Sequence, residues 1–210
     1  MDRLSVSARY GLTYNNYLFI LVFNIFYVSK QYRSERGVNT FIVLFVCTGN
    51  ICRSPMAEGI LKDLIIDEFD RRRIVLPIEV ASAGTHAYGG HPASRHAVDV
   101  AKAHDINLTF HRSRHLASNL VNASDLILTM ESAHRELINS QWPHASHVHE
   151  LKRYMRETGL DFDADVLDPI GADRDVYAAV FDELKEEITR VAPHIFSLVE
   201  MKARGGDSAP

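Results

Sequence analysis

Phe41-Ile42-Val43-Leu44-Phe45-Val46 runs directly into Cys47-Thr48-Gly49-Asn50-Ile51-Cys52-Arg53-Ser54-Pro55, and the reading of this stretch decides the fold. Phe41 to Val46 is continuously apolar and rich in β-formers, the pattern of a strand buried on both faces of a parallel sheet. From Ser54 to Phe69 the residues Met56, Ile60, Leu61, Leu64 and Ile65 recur at helical spacing, so a helix is expected there. The segment from Cys47 to Arg53 therefore joins the carboxyl end of a strand to the amino end of a helix. Backbone N–H groups at such a junction lack partners inside the helix and the helix dipole adds partial positive charge, so a tetrahedral dianion can be held without a metal. Arg53 can add a bidentate fork onto two of its oxygens. The same positive field favours the thiolate of Cys47, which makes it a nucleophile at neutral pH. Chemistry at phosphorus is the leading expectation. A cysteine at a strand end can also merely pack, but here Gly49, Asn50, Arg53, Ser54 and Pro55 accompany it.

Outward from the loop the chain alternates between strand and helix. Ile78 to Ala83, Asp125 to Met130 and Val148 to Leu151 read as further strands, with helices over Ser94 to His104 and Glu131 to Asn139. A long amphipathic helix from Asp173 to Lys202 carries Val176, Val180, Phe181, Leu184, Ile188, Val191, Ile195 and Leu198. This order predicts a three-layer α/β/α domain over residues 38–202, a four-stranded parallel sheet with helices on both faces and the ligand at the carboxyl ends of the strands.

With 210 residues, 46% of them hydrophobic and 24% charged, the chain can bury one core without disulfides or metal. A net charge of -4 gives no reason to expect a nucleic-acid partner. The eleven histidines are scattered; only His144, His147 and His149 cluster, without a metal-ligand spacing, so no metal is expected. Two cysteines inside one loop suit a reducing, cytoplasmic compartment rather than a disulfide framework.

Residues 1–37 stand outside this pattern. Tyr17 to Val28 is apolar apart from Asn24, yet at twelve residues falls short of the roughly 20 that a membrane-spanning helix needs. Lys30, Gln31, Tyr32 and Arg33 follow where a secretory signal would place small residues. Three readings stay open: an interfacial anchor, a segment packed on the domain or a partner, or translated upstream sequence from a misassigned start. Membrane contact through residues 17–28 is the less favoured outcome. The tail 203–210 is small and polar and is expected to be disordered.

Val46 to Glu58 (VCTGNICRSPMAE) resembles the signature of the low-molecular-weight protein tyrosine phosphatases of bacterial type. Ser82-Ala83-Gly84-Thr85, His111-Arg112-Ser113-Arg114, Asp125 to Met130 and Asp168-Pro169 follow in that family's order, so the resemblance spans about Asn39 to Lys202. It implies hydrolysis of phosphotyrosine through a phosphocysteine, with Cys47 as nucleophile, Arg53 and the amides of Thr48, Gly49, Asn50, Ile51, Cys52 and Ser54 binding the phosphoryl group, and no cofactor. Asp168, before Pro169, matches the acid that protonates the departing oxygen and then activates water; from the residues alone, an aspartate before proline is an ordinary turn. Asn50 is expected to orient the loop, Ser54 to donate to Cys47, Ser82 and His111 to hold Asn50, and Glu58 to pair with His111. Cys52 either forms a reversible disulfide with Cys47 or packs.

On substrate choice, Ile51 matches the apolar residue usual in the tyrosine phosphatases, where a threonine marks the related protein-arginine phosphatases, whose activity is the alternative that stays open. Tyr88 matches an aromatic wall for the phenyl ring, whereas Ile170-Gly171 replace aromatics found after the Asp-Pro pair in many relatives. The implied partner is a tyrosine-phosphorylated protein, such as a bacterial tyrosine kinase of polysaccharide export. Arsenate reductases share the loop, but the thioredoxin-coupled type needs cysteines beyond Cys52, and Pro55 stands where a glutamine is common. A non-catalytic phosphopeptide-binding module would be expected to lose the nucleophile or the acid, and both are present.

Overall fold

The computed structural model describes residues 39–157 and 163–205. The readings made for residues 1–37 and the end of the tail, 206–210, fall outside them.

Four parallel strands, β1 (Phe41–Cys47), β2 (Ile78–Gly84), β3 (Leu126–Thr129) and β4 (Val148–Glu150), form one sheet in the order β2-β1-β3-β4. β1 lies in the middle, its register running from Phe41 beside Ile78 to Cys47 beside Gly84, with Val43 to Val46 paired on its other edge to Leu126 to Thr129. The continuous apolar run of β1 has a direct cause, because both of its faces are covered. Val43, Phe45 and Cys47 enter a core shared with α1 (Arg53–Arg72), α2 (Arg95–Ala103) and α5 (Arg174–Gly205). Leu44 and Val46 enter a second core with Val121 of α3 (Ser118–Ala123) and Ile138 of α4 (Ser132–Gln141). Alternate side chains of one strand thus seed both layers, as the period of a strand requires.

The expected strands and helices appear within one or two residues, except at two helix ends. α1 continues to Arg72, where Arg73 closes it in the left-handed conformation. α5 extends through Gly205 rather than ending at Lys202, so the first three residues of the presumed tail are helical. α3 was not expected: it has six residues, no side-chain cap and one buried residue, Val121, too little for a periodic signal. Among the described residues no helix is long and apolar enough to cross a membrane.

The clustered histidines have separate local roles. His144 Nε2 lies 2.9 Å from Asn122 Oδ1 and His147 Nε2 3.3 Å from the Val121 carbonyl, while the His149 ring rests against Tyr154 with centroids 5.0 Å apart.

Candidate active site

Thr48 to Cys52 form a continuous series of bends between β1 and α1. α1 starts after Cys52 with no side-chain cap and no acidic residue in its first turn, so its leading N–H groups remain available to an anion. Cys47 is 3% exposed, and its sulfur lies 3.0 Å from Ser54 Oγ and accepts the Asn50 backbone N–H at 3.3 Å.

Asn50 has a left-handed backbone, φ 54°, a conformation in which asparagine is enriched. Its Oδ1 accepts the Arg114 N–H at 2.9 Å, which fixes the amide orientation, and Nδ2 then donates to Ser54 Oγ and Ser82 Oγ, each at 2.9 Å. The Ser82 hydroxyl in turn donates to Glu58 Oε2 at 2.6 Å. Because Ser54 already accepts from Asn50, its hydroxyl proton is free to point at Cys47, so a directed chain from Glu58 to the sulfur sets every donor. His111 Nε2 donates to the Asn50 carbonyl at 2.7 Å, and burial holds its imidazole below the ordinary range. Ser54, Ser82 and His111 therefore sit where expected around Asn50. Glu58 does not: its carboxylate turns to Ser82 and Lys62, and it acts on His111 only through charge.

Arg53 is 1% exposed and committed on one side. Nη1 donates to Glu131 and, at 2.8 Å, to the Val166 carbonyl; Nη2 donates to Asp168 Oδ2 at 2.6 Å. Among the described residues that leaves Nε–H and the second Nη2–H, the side-on pair suited to two phosphoryl oxygens. Asp168 belongs to the segment before α5, and its Oδ1 accepts the Ile170 N–H at 3.1 Å. The acid expected from sequence and the loop arginine are thus in direct contact.

The remaining expected residues are placed unevenly. The Thr48 hydroxyl lies 2.9 Å from His134 Nε2, and the Thr48 carbonyl accepts the His86 N–H at 2.9 Å. Gly49 leaves room for ordinary contact with the Ile51 side chain, and Ile51 packs on the main core while its carbonyl accepts the Ser94 N–H at 2.7 Å. The Cys52 sulfur lies 3.2 Å from Tyr177 Oη and 3.4 Å from Ser94 Oγ, and both cysteines are free thiols. Burial pushes the Cys52 thiol up, and it also pushes the Tyr177 phenol up to about 12. Tyr88 is 83% exposed on the segment that follows His86. Glu131, His134, Val166 and Arg114 were not assigned roles from sequence. The one available signal was position, since Glu131 and His134 follow β3 at the carboxyl edge of the sheet, where ligands bind.

A thiol with a hydroxyl and an amide aimed at it, an uncapped helix start and a half-committed arginine together serve phosphoryl transfer through sulfur, the chemistry of a cysteine phosphatase. The chain belongs to the low molecular weight phosphotyrosine protein phosphatase family, whose description matches residues 42–202. It is 38% identical over 154 residues to a protein-arginine-phosphatase of Bacillus subtilis (strain 168), an alignment covering 73% of this chain and 95% of the relative. It is 31% identical over 149 residues to the low molecular weight protein-tyrosine-phosphatase PtpB of Staphylococcus aureus, covering 71% and 95% respectively. The solved structure of the tyrosine phosphatase Wzb from Escherichia coli K30 in complex with sulphate superposes with a TM-score of 0.63 at 27% identity, covering 75% of this chain and 99% of that one.

Proposed function

We propose that residues 38–202 form a protein tyrosine phosphatase acting through a phosphocysteine, with residues 1–37 an extension that the chemistry does not use. The observation that carries this reading is the Cys47 sulfur held by Ser54 and the Asn50 N–H beside an arginine with an uncommitted side-on pair of donors. In this reading the sulfur attacks phosphorus in line. The S–P bond forms as the P–O bond to the tyrosine oxygen breaks, while Arg53 and the amides of residues 48–54 take the charge growing on the equatorial oxygens. Asp168 gives its proton to the departing oxygen. As carboxylate it then removes a proton from the water that cleaves the S–P bond, releasing phosphate and restoring the thiolate. Glu131 and the Val166 carbonyl hold the guanidinium plane, and the Asn50 network holds the loop open.

Ile51 and the exposed Tyr88 ring offer apolar surface to a phenyl group, which favours phosphotyrosine. The expected substrate is a tyrosine-phosphorylated protein in the cytoplasm, a bacterial tyrosine kinase of polysaccharide export being one such partner. A second reading, phosphoarginine, draws on the protein-arginine-phosphatase of Bacillus subtilis and on Ile170-Gly171, which leave one side of the site without an aromatic ring. Phosphotyrosine, phosphoserine and phosphoarginine peptides should be compared with a Cys47→Ser control. Preferential turnover of phosphotyrosine, abolished in the control, is the expected result. Preference for phosphoarginine would establish the second reading, and activity surviving in the control would remove the mechanism.

A further inference from the structure

The start of α4 touches the phosphate loop twice. Glu131, its N-cap residue, pairs with Arg53 at the far end of the loop, and His134, on the first turn, meets Thr48 at the near end. His134 is 5% exposed, and its Nδ1 is buried with no hydrogen-bond partner among the described residues. The reaction set out above gives this ring no task. We propose that His134 is a positioning residue for phosphoryl transfer, fixing the Thr48 hydroxyl and through it the backbone beside the nucleophile. The proposal deepens the phosphatase reading and rests on it.

Thr48 is held from two directions. Its carbonyl accepts the His86 N–H at 2.9 Å, and its hydroxyl is 2.9 Å from His134 Nε2, so the peptide that follows Cys47 has little freedom to rotate. The charges around the ring are mixed. Burial holds the imidazole below its ordinary value; Arg53 acts in the same direction, while Glu131, Asp168 and Asp165 oppose it, and burial dominates, which favours the neutral ring.

A neutral imidazole carries one proton. On Nδ1 it would be a buried donor without an acceptor, which folded proteins tolerate less often than a bare acceptor. On Nε2 it is donated to Thr48 Oγ1. Thr48 then does not spend its own O–H on the ring, and that group joins the donors at the end of β1. Arg53 and Thr48, at opposite ends of the bends, are thus set by one rigid helix start.

The side chains of glutamine and asparagine separate this role from simple packing. A glutamine amide reaches about as far as the imidazole Nε2, an asparagine amide only as far as Nδ1. His134→Asn and Thr48→Val should each lower kcat/KM for a small aryl phosphate, and weaken binding of inorganic phosphate measured by calorimetry, by about three- to tenfold. His134→Gln should recover most of the loss. The Thr48→Val/His134→Asn double variant should fall no further than the worse single one. Equal effects of Asn and Gln, or losses that multiply in the double variant, would overturn the proposal. So would 15N shifts placing the His134 proton on Nδ1. Should His134→Asn fail to fold, Thr48→Ser against Thr48→Val decides: Ser must keep the advantage, and a Val variant indistinguishable from the wild type refutes the role. If the wild type turned over neither phosphomonoesters nor phosphoarginine, the phosphatase reading would fail, while the phosphate-binding comparison would still test the coupling of His134 to Thr48.

Discussion

Asn50 spends every polar atom of its side chain on protein partners while fully buried, which is what a single residue must do to hold a left-handed bend under an anion. Its contacts reach Ser82 and Arg114, far away in sequence, and so could not be read from the loop alone. Asp168 meets Arg53 directly, Nη2 to Oδ2 at 2.6 Å, so the acid proposed for the first chemical step lies beside the guanidinium proposed to hold the phosphoryl group. Replacing Asp168 by Asn should therefore slow release of a poor leaving group by about 10² to 10⁴. A good leaving group such as a nitrophenolate needs less protonation, and its pre-steady-state release should suffer much less. Equal slowing of both would place the acid elsewhere.

β2 ends where the phosphate loop begins, and the closeness of the two elements depends on Gly84. A Cβ there would come within 2.5 Å of the Thr48 carbonyl oxygen and 2.9 Å of the Asn50 nitrogen, both backbone atoms with no flexible end to yield. Gly84→Ala should push the loop off β2, costing about 1–3 kcal/mol in denaturant unfolding and tenfold or more in kcat/KM; wild-type kinetics in this variant would show that the loop tolerates displacement. The legibility of the fold follows the same division between contiguous and assembled features. β1 and α1 were plain because their burial is written as local periodicity, and the phosphate loop because its residues are adjacent. α3 escaped since six residues with one buried side chain carry no period. Glu131, His134 and Arg114 escaped since each reaches the loop from a separate segment, and the pairing of Glu58 with Ser82 rather than His111 depends on side-chain direction within α1.

For the whole molecule, buried and half-buried histidines shape the response to acid. His111, His134 and His149 are each held below their ordinary value mainly by burial, so their folded forms take up protons later than the unfolded chain, whose imidazoles titrate near pH 6.5. Stability from this source is complete above that pH and falls as the pH drops below it, because the unfolded state then binds more protons. The thermal midpoint should decline between pH 7 and 5, and His149→Gln should flatten part of the slope; a midpoint that rose over this range would contradict the assignment. Removing residues 1–37 should leave a folded enzyme with nearly unchanged kinetics towards a small aryl phosphate, because the sheet, both cores and the loop lie within the described residues. A tenfold fall at matched folding would instead make the extension part of the domain. At the opposite pole from the catalytic loop, Lys202 Nζ grips the Thr40 carbonyl at 2.9 Å and the Asp125 carboxylate, which in turn accepts the Ile42 N–H. The beginning of β1 and the end of α5 are therefore spatial neighbours, at the end of the sheet opposite the loop that follows Cys47. A circularly permuted enzyme, with Gly205 spliced to Asn39 through a short flexible linker and its new ends opened in a surface loop, should refold and keep its turnover. Reporter proteins attached at either of these positions should likewise leave access for a large phosphoprotein unobstructed.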